Sequence, residues 1–392
     1  MTLLIDSIFS SVALGHLMVD LLNGSRPVLL AFLSKSLGLT NASLALISTI
    51  YVWAASITQP LFGWLTDRFG PRWVAAGGLL WMMGFFSVAM FLPGYSSLVC
   101  LIFASLGSAA FHPAGATQAT LRGQSHYAGR ETTAASMFFM FGQMGFFFGP
   151  IVSGPLLDNF GVEGLLIPAA LLLPIGLNAG YQLRRTPRPI KTTDQPGEKA
   201  VALSVTPVFI ILLALTASMQ AWAQQNMITF MPKYLADLGQ PASVYGLVAG
   251  LFMGGSALGN VAGGTLADRY GKIRVAMTAL VLASLPLFAI AQIGWSPWLY
   301  LLVPLSGALT GSVHSIVVVI AQRAIRGGMG LASGLTLGIM FSAGALGTLL
   351  FGSVADSRGF PLVFQMTSGL VLGAAFTLAL LRRVEQPELV TA

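Results

Sequence analysis

GWLTDRFGPR, Gly63 to Arg72, decides the fold, because its Gly-x-x-x-Asp core recurs along the chain. GTLADRYGKIR, Gly264 to Arg274, repeats it at an offset of 201 through Asp67/Asp268, Arg68/Arg269 and Gly70/Gly271. Weaker copies, GPLLDNFG with Asp158 and GSVADSRG with Asp356, follow the strong ones by 91 and 88 residues. Each closes a long apolar run. A period of this kind divides the chain into quarters and marks a duplicated architecture.

The composition says what is duplicated. Charged residues make up 8% of the chain, against about 25% in ordinary soluble domains, and hydrophobic residues 55%. Such a chain cannot cover a water-facing surface. Twelve apolar runs can be read, each long enough to cross roughly 30 Å of hydrocarbon as a helix. They cover 7–33, 43–66, 73–92, 96–120, 132–157 and 163–183, then 204–230, 242–267, 273–293, 297–322, 329–355 and 360–382. The alternating segments of about 10 residues that a membrane barrel needs are absent. The expected fold is an all-α integral membrane protein: twelve transmembrane helices in two pseudo-symmetric six-helix halves, 1–183 and 204–392. Between them 184–203, rich in Pro, Thr and charge, reads as a solvated cytoplasmic linker.

Positive charge orients the spans. With the amino terminus inside, the inner connections and tail hold sixteen of the twenty Lys and Arg residues, which predicts both termini in the cytoplasm of a bacterial cell. The net charge of +7 therefore reports topology. It sits in short scattered loops beside lipid headgroups and forms no nucleic-acid stripe. Cys100, the only cysteine, excludes an intrachain disulfide. The first span lacks a basic start and a cleavage site, so it reads as a retained helix.

Polar residues inside the spans mark the function. His16, Asp20 and Asn23 in the first span are spaced i, i+4, i+7 on one helical face, and an acid near the bilayer midplane must face a cavity or a partner. Arg26, about 240° around the helix from Asp20, is not placed to pair with it. His112 in the fourth span and His314 in the tenth are 202 residues apart, equivalent places in the two halves. Histidine exchanges protons near neutral pH, or packs as a hydrogen-bonded core residue. The seventh span offers Gln220, Trp222, Gln224, Gln225 and Asn226, neutral residues at the places the repeat offset makes equivalent to Asp20 and Asn23. No metal-ligand spacing, nucleotide-binding loop or nucleophile–base pair can be read, so no metal, cofactor or enzymatic activity is expected.

Gly63-x-Leu65-x-Asp67-Arg68-x-Gly70-x-Arg72 resembles the loop signature of the major facilitator superfamily, and Gly264 to Arg274 its weaker partner. The resemblance implies a transporter working by alternating access, in which Gly63, Asp67, Arg68, Arg72, Asp268 and Arg269 lock a gate without binding substrate. In the fifth span, GQMGFFFGPIVSGP resembles the antiporter motif of drug exporters through Gly145, Gly149, Pro150 and Gly154. The arginine that proton-driven antiporters carry in the fourth span is replaced by Phe103.

GHLMVDLLNGSRPVLL, Gly15 to Leu30, with FHP, Phe111 to Pro113, is similar to the fosmidomycin-resistance group of that superfamily. This implies proton-coupled efflux of a small polar or anionic compound such as a phosphonate antibiotic. Asp20, Asn23, Arg26, His112, Gln224 and His314 are the expected substrate or proton residues, with Asp20 as the proton carrier. An uptake symporter for a sugar or organic acid is the alternative. The expected partners are a small-molecule substrate, protons and membrane lipids; the chain is expected to act as a monomer in the bacterial inner membrane.

Overall fold

One residue turns the chain at each strong copy of the repeat. The computed structural model describes residues 2–126, 131–186, 206–324 and 329–384. In it a single residue separates helix α2 (Asn41–Phe69) from α3 (Pro71–Phe91), and another separates α8 (Ala242–Tyr270) from α9 (Lys272–Ile293). The residues between, Gly70 and Gly271, have φ of 90° and 92°. Only glycine adopts such angles freely, which is why the repeat keeps it. The weaker copies end the same way, at Gly161 (φ 64°) and Gly359 (φ 80°).

The remaining helices are α1 (Ser7–Ser36), α4 (Tyr95–His126), α5 (Glu131–Phe160), α6 (Leu166–Gln182), α7 (Pro207–Asp237), α10 (Leu299–Gly311), α11 (His314–Ala324), α12 (Met329–Arg358) and α13 (Phe360–Val384). Eleven stretches among the described residues are long and apolar enough to cross a membrane, and one of them, Ala134–Gln182, holds both α5 and α6. Twelve spans result. Large apolar side chains such as Ile57, Phe91, Leu258, Leu285 and Phe376 remain exposed, as hydrocarbon-facing surface requires.

The tenth span differs from the single helix expected over 297–322. It breaks at Ser312–Val313 into α10 and α11. At the break, Asn260 Oδ1 of α8 accepts the backbone N–H of Ser315 at 3.1 Å, and Val313 N–H turns to the Thr310 carbonyl three residues back. Both bonds satisfy donors that a continuous ladder would otherwise hold.

The chain divides into two compact units. One comprises Met1–Gly38, Ile50–Thr192 and Gln240–Gly250; the other comprises Leu39–Thr49, Thr193–Gly239 and Leu251–Ala392. In the first, α1 lies along α5 and α3 along α4 and α6; in the second, α7 packs on α12 and α13, and α13 on α9. Phe9, Phe86, Phe111 and Phe138 fill the core of the first unit; Phe209, Phe230, Phe252 and Phe364 fill that of the second. Of the expected linker, only Arg184, Arg185 and Thr186 lie within the described residues.

Asp6 fixes where α1 starts. Its carboxylate caps the helix, accepting from Ile8 N–H at 3.1 Å and Phe9 N–H at 2.8 Å. Arg122, near the end of α4, closes on the same carboxylate, with Nε 3.1 Å from each oxygen. Burial pushes the Asp6 carboxyl up, but the Arg122 guanidinium and the two backbone donors outweigh it and hold it below its ordinary value.

Candidate transport site

Close packing of α5 on α1 builds the site. A Cβ on Gly145 would run into the Leu17 carbonyl, and one on Gly149 into that of Leu21. The antiporter-like glycines are therefore where the two backbones touch. Ser25 locks the contact, donating to the Leu21 carbonyl at 2.8 Å and lying 3.2 Å from the Gly149 carbonyl. One turn earlier, a Cβ on Gly142 would sit 2.5 Å from the His16 ring and 2.7 Å from Asp20 Oδ2. No other residue type leaves room for these side chains.

The space holds an ion cluster. Asp20, 3% exposed near the middle of α1, has Oδ2 at 3.1 Å from His16 Nε2 and Oδ1 at 3.4 Å from His112 Nε2. His16 Nδ1 is 2.7 Å from the Phe138 carbonyl, and His112 Nδ1 is 2.7 Å from the Ser108 carbonyl. A carbonyl only accepts, so each Nδ1 carries its hydrogen and each Nε2 faces the carboxylate. A hydrogen bond at either Nε2 then needs a further proton, held by the imidazole or by the acid. His16 stacks on Phe138 with ring centroids 4.0 Å apart, and meets His112 edge-on at 4.9 Å. His112 is the more open of the two, its side chain 23% exposed against 3% for His16.

A polar track continues along α1. Asn23 Nδ2 donates to Asp20 Oδ1 and to Ser108 Oγ, each at 2.9 Å, and Asn23 Oδ1 accepts from the Tyr51 hydroxyl at 2.7 Å. Arg26 lies over the Tyr51 ring, 4.5 Å from its centroid. The guanidinium is buried, makes no ion pair among the described residues and leaves Nε without a hydrogen-bond partner. A buried cation without an anion is costly.

Asp20, Asn23, Arg26 and His112 are thus brought together in one unit. His16 belongs with them, as do Tyr51, Ser108 and Phe138, for which the sequence carries no signal beyond residue type. The same carboxylate and the two Nε2 atoms lie within 4.8 Å of one another, a spacing compatible with a metal ion. The sequence could not show this, because His112 comes from another helix.

In the second unit the expected residues follow other partners. Gln224 Nε2 donates to Ser256 Oγ at 3.1 Å, and Gln220 Nε2 donates to the Thr310 carbonyl at 3.0 Å. Asn226 is a core residue, held between Thr367 and Thr348. Trp222 packs on Phe351, with ring centroids 4.7 Å apart. His314 starts α11 and makes no hydrogen bond or ion pair among the described residues. The two histidines, equivalent in sequence, differ in setting: His112 has a carboxylate and His314 has none. Asp67, Arg68, Arg72, Asp268 and Arg269 lie at the exposed helix ends, where Arg68 covers Trp64 and Arg72 covers Trp73. A Cβ on Gly63 would meet only Pro113 Cβ, at 3.9 Å.

Twelve apolar helices that bury ionisable groups in the middle of a span are the construction of a membrane solute carrier. The chain belongs to the Major Facilitator Superfamily, whose family model matches residues 12–240 and 213–392. It is 29% identical over 365 residues to the MFS-type transporter YfnC of Bacillus subtilis (strain 168), covering 89% of this chain and 86% of that protein. It is 26% identical over 385 residues to the fosmidomycin resistance protein of Escherichia coli (strain K12), covering 95% and 92%. Among solved structures, a bacterial homologue of the human lysosomal transporter Spinster, inward-facing and occupied, superposes with a TM-score of 0.80 at 13% identity, covering 96% and 97% of the chains. The nucleoside transporter NupG gives 0.74 at 17%, covering 96% and 99%. The last two likenesses concern the fold. The protein is a multi-pass membrane transporter of this superfamily.

Proposed function

We propose that the protein exports a small polar or anionic compound, such as a phosphonate antibiotic, in exchange for protons, by alternating access between two six-helix halves in the bacterial inner membrane. The observation that carries this is the Asp20 carboxylate, buried between His16 and His112 and joined through Asn23 and Tyr51 to an unpaired Arg26. The two Nε2–oxygen contacts are where the cluster would take up and give off protons. The guanidinium supplies a positive charge that an anionic substrate would neutralise, and charge-assisted bonds strengthen where water is excluded. Exchange follows where substrate and proton compete for this one polar track, so that the substrate is held only when the cluster has given up its proton. The likeness to the fosmidomycin resistance protein of Escherichia coli over nearly the whole chain supports the substrate class. Gln220, Gln224, Trp222 and His314 are assigned to the substrate-facing side of the second half. Asp67, Arg72, Asp268 and their neighbours act as the gate. The chain acts as a monomeric carrier, with both termini in the cytoplasm.

The test is transport in liposomes containing the purified protein and a pH-sensitive dye. With a proton gradient imposed, a labelled fosmidomycin-like phosphonate should move against the direction of proton flow, and Asp20→Asn should stop both fluxes. Movement of the compound in the same direction as the protons would show a symporter; flux that ignores the gradient would remove proton coupling.

A further inference from the structure

Both histidines of the Asp20 cluster are held by the ring nitrogen that faces away from it. His16 Nδ1 is bound at the Phe138 carbonyl of α5, and His112 Nδ1 at the Ser108 carbonyl of α4. Each Nε2 is thereby aimed at the carboxylate, 3.1 Å from Oδ2 for His16 and 3.4 Å from Oδ1 for His112. With both rings neutral and the acid ionised, lone pairs face lone pairs and no hydrogen lies between them. A cation placed among them satisfies all three groups at once.

Metal ligands are arranged in this way. A ligating imidazole normally donates its other N–H to a carbonyl or carboxylate, and a ligating carboxylate is itself hydrogen-bonded. Both conditions are met here: the two Nδ1 atoms sit on carbonyls, and Asp20 Oδ1 accepts from Asn23 Nδ2 at 2.9 Å. His16 and Asp20, four residues apart on α1, share one face, and α4 brings His112 to it. Metal bonds of about 2.0–2.2 Å in a tetrahedron set neighbouring ligand atoms about 3.3–3.6 Å apart, close to both observed contacts. The three ligand atoms lie within 4.8 Å of one another, so closing on an ion draws them in by at most about 1.5 Å. Buried Phe111 and Phe138 wall the cluster, and the more open His112 leaves a side for a fourth ligand.

We propose that His16, Asp20 and His112 form a binding site for a zinc-type divalent ion, open in its fourth position, which the cluster takes in place of protons. Two imidazoles and one carboxylate suit zinc, cobalt and nickel; magnesium and calcium seek shells of oxygen ligands, which these three residues do not offer. The ion ties α1 to α4 and occupies both Nε2 atoms and the carboxylate together. A chain that holds it cannot load protons there and stops exchanging. The site stands on the ligand geometry; the block of exchange rests on the proton reading.

The test is calorimetric titration of zinc chloride into the full chain in detergent, freed of metal by a chelator and of any affinity tag. About one zinc ion should bind per chain and raise its melting temperature, and magnesium chloride should do neither. His112→Gln, at the open edge of the cluster, and Asp20→Asn should each weaken zinc binding by at least about tenfold and lose the rise in melting temperature. His126→Gln, which changes the histidine that ends α4, should bind zinc as the native chain does. No zinc binding in the native chain, or equal binding of magnesium, overturns the proposal. Binding unaltered in His112→Gln or Asp20→Asn, or lost in His126→Gln, also overturns it by placing the ion elsewhere. Zinc binding that weakens as expected, in a chain whose phosphonate flux ignores the proton gradient, would uphold the metal site and remove the coupling reading alone.

Discussion

His16 and His112 share one carboxylate: Nε2 of His16 lies 3.1 Å from Asp20 Oδ2, and Nε2 of His112 lies 3.4 Å from Asp20 Oδ1. Because both Nδ1 atoms are held by backbone carbonyls, neither ring can offer Asp20 a proton without taking on an extra one.

The two histidines should separate in experiment. His112→Gln, at the more open position, should lower proton-coupled transport with little change in thermal stability. His16→Gln should also destabilise the protein by about 1–3 kcal/mol, since it removes a buried hydrogen bond to the Phe138 carbonyl and a stacked ring. Thermal unfolding in detergent alongside liposome transport checks both. Equal stability losses would contradict the assignment.

Gly142→Ala should displace the cluster. The added methyl meets the His16 ring and Asp20 Oδ2, and overpacking of this kind costs about 1–3 kcal/mol. Gly338→Ala is the control, because a Cβ there meets nothing within 4 Å and alanine favours the helix. Transport should fall in the first variant and persist in the second.

Arg26→Ala should weaken binding of a phosphonate by at least about tenfold, the scale of a hydrogen bond to a charged group. Tyr51→Phe keeps the ring under the guanidinium and removes only the bond to Asn23, so its effect should be smaller. Calorimetric titration on the purified protein gives both numbers. Unchanged affinity in Arg26→Ala would remove the anion site.

The Asp6–Arg122 contact should show in the pH dependence of stability. A carboxyl whose folded value is lowered adds stability that is present above its unfolded value and is lost as pH falls through the folded one. The gap in melting temperature between the native chain and Asp6→Asn should therefore be widest near neutral pH and shrink as pH drops from about 5 towards 3. A gap that grows on acidification would contradict it.

The fold was legible because its signals are one-dimensional. Apolar run length gives the spans, and Gly70 and Gly271 mark turns that local backbone angles alone require. The break at Ser312–Val313 was not legible, since the Asn260 side chain that takes the Ser315 N–H there comes from another helix. The site was half legible. Asp20 and His112 stand out as ionisable groups in apolar helices, but their meeting depends on how α1 and α4 pack. Tyr51 looks like any interfacial aromatic until its hydroxyl is seen on Asn23. Asn226 misleads in the other direction: an amide facing a cavity and an amide tied between two threonines read alike.

The most direct test of the central claim is proton release on substrate binding, read with an indicator dye in weakly buffered detergent solution. Adding a fosmidomycin-like phosphonate to the purified protein should release about one proton per chain near neutral pH, and none in Asp20→Asn, if substrate and proton compete for the track. Saturating binding with no proton release in the native chain, or the same release in Asp20→Asn, would contradict the account.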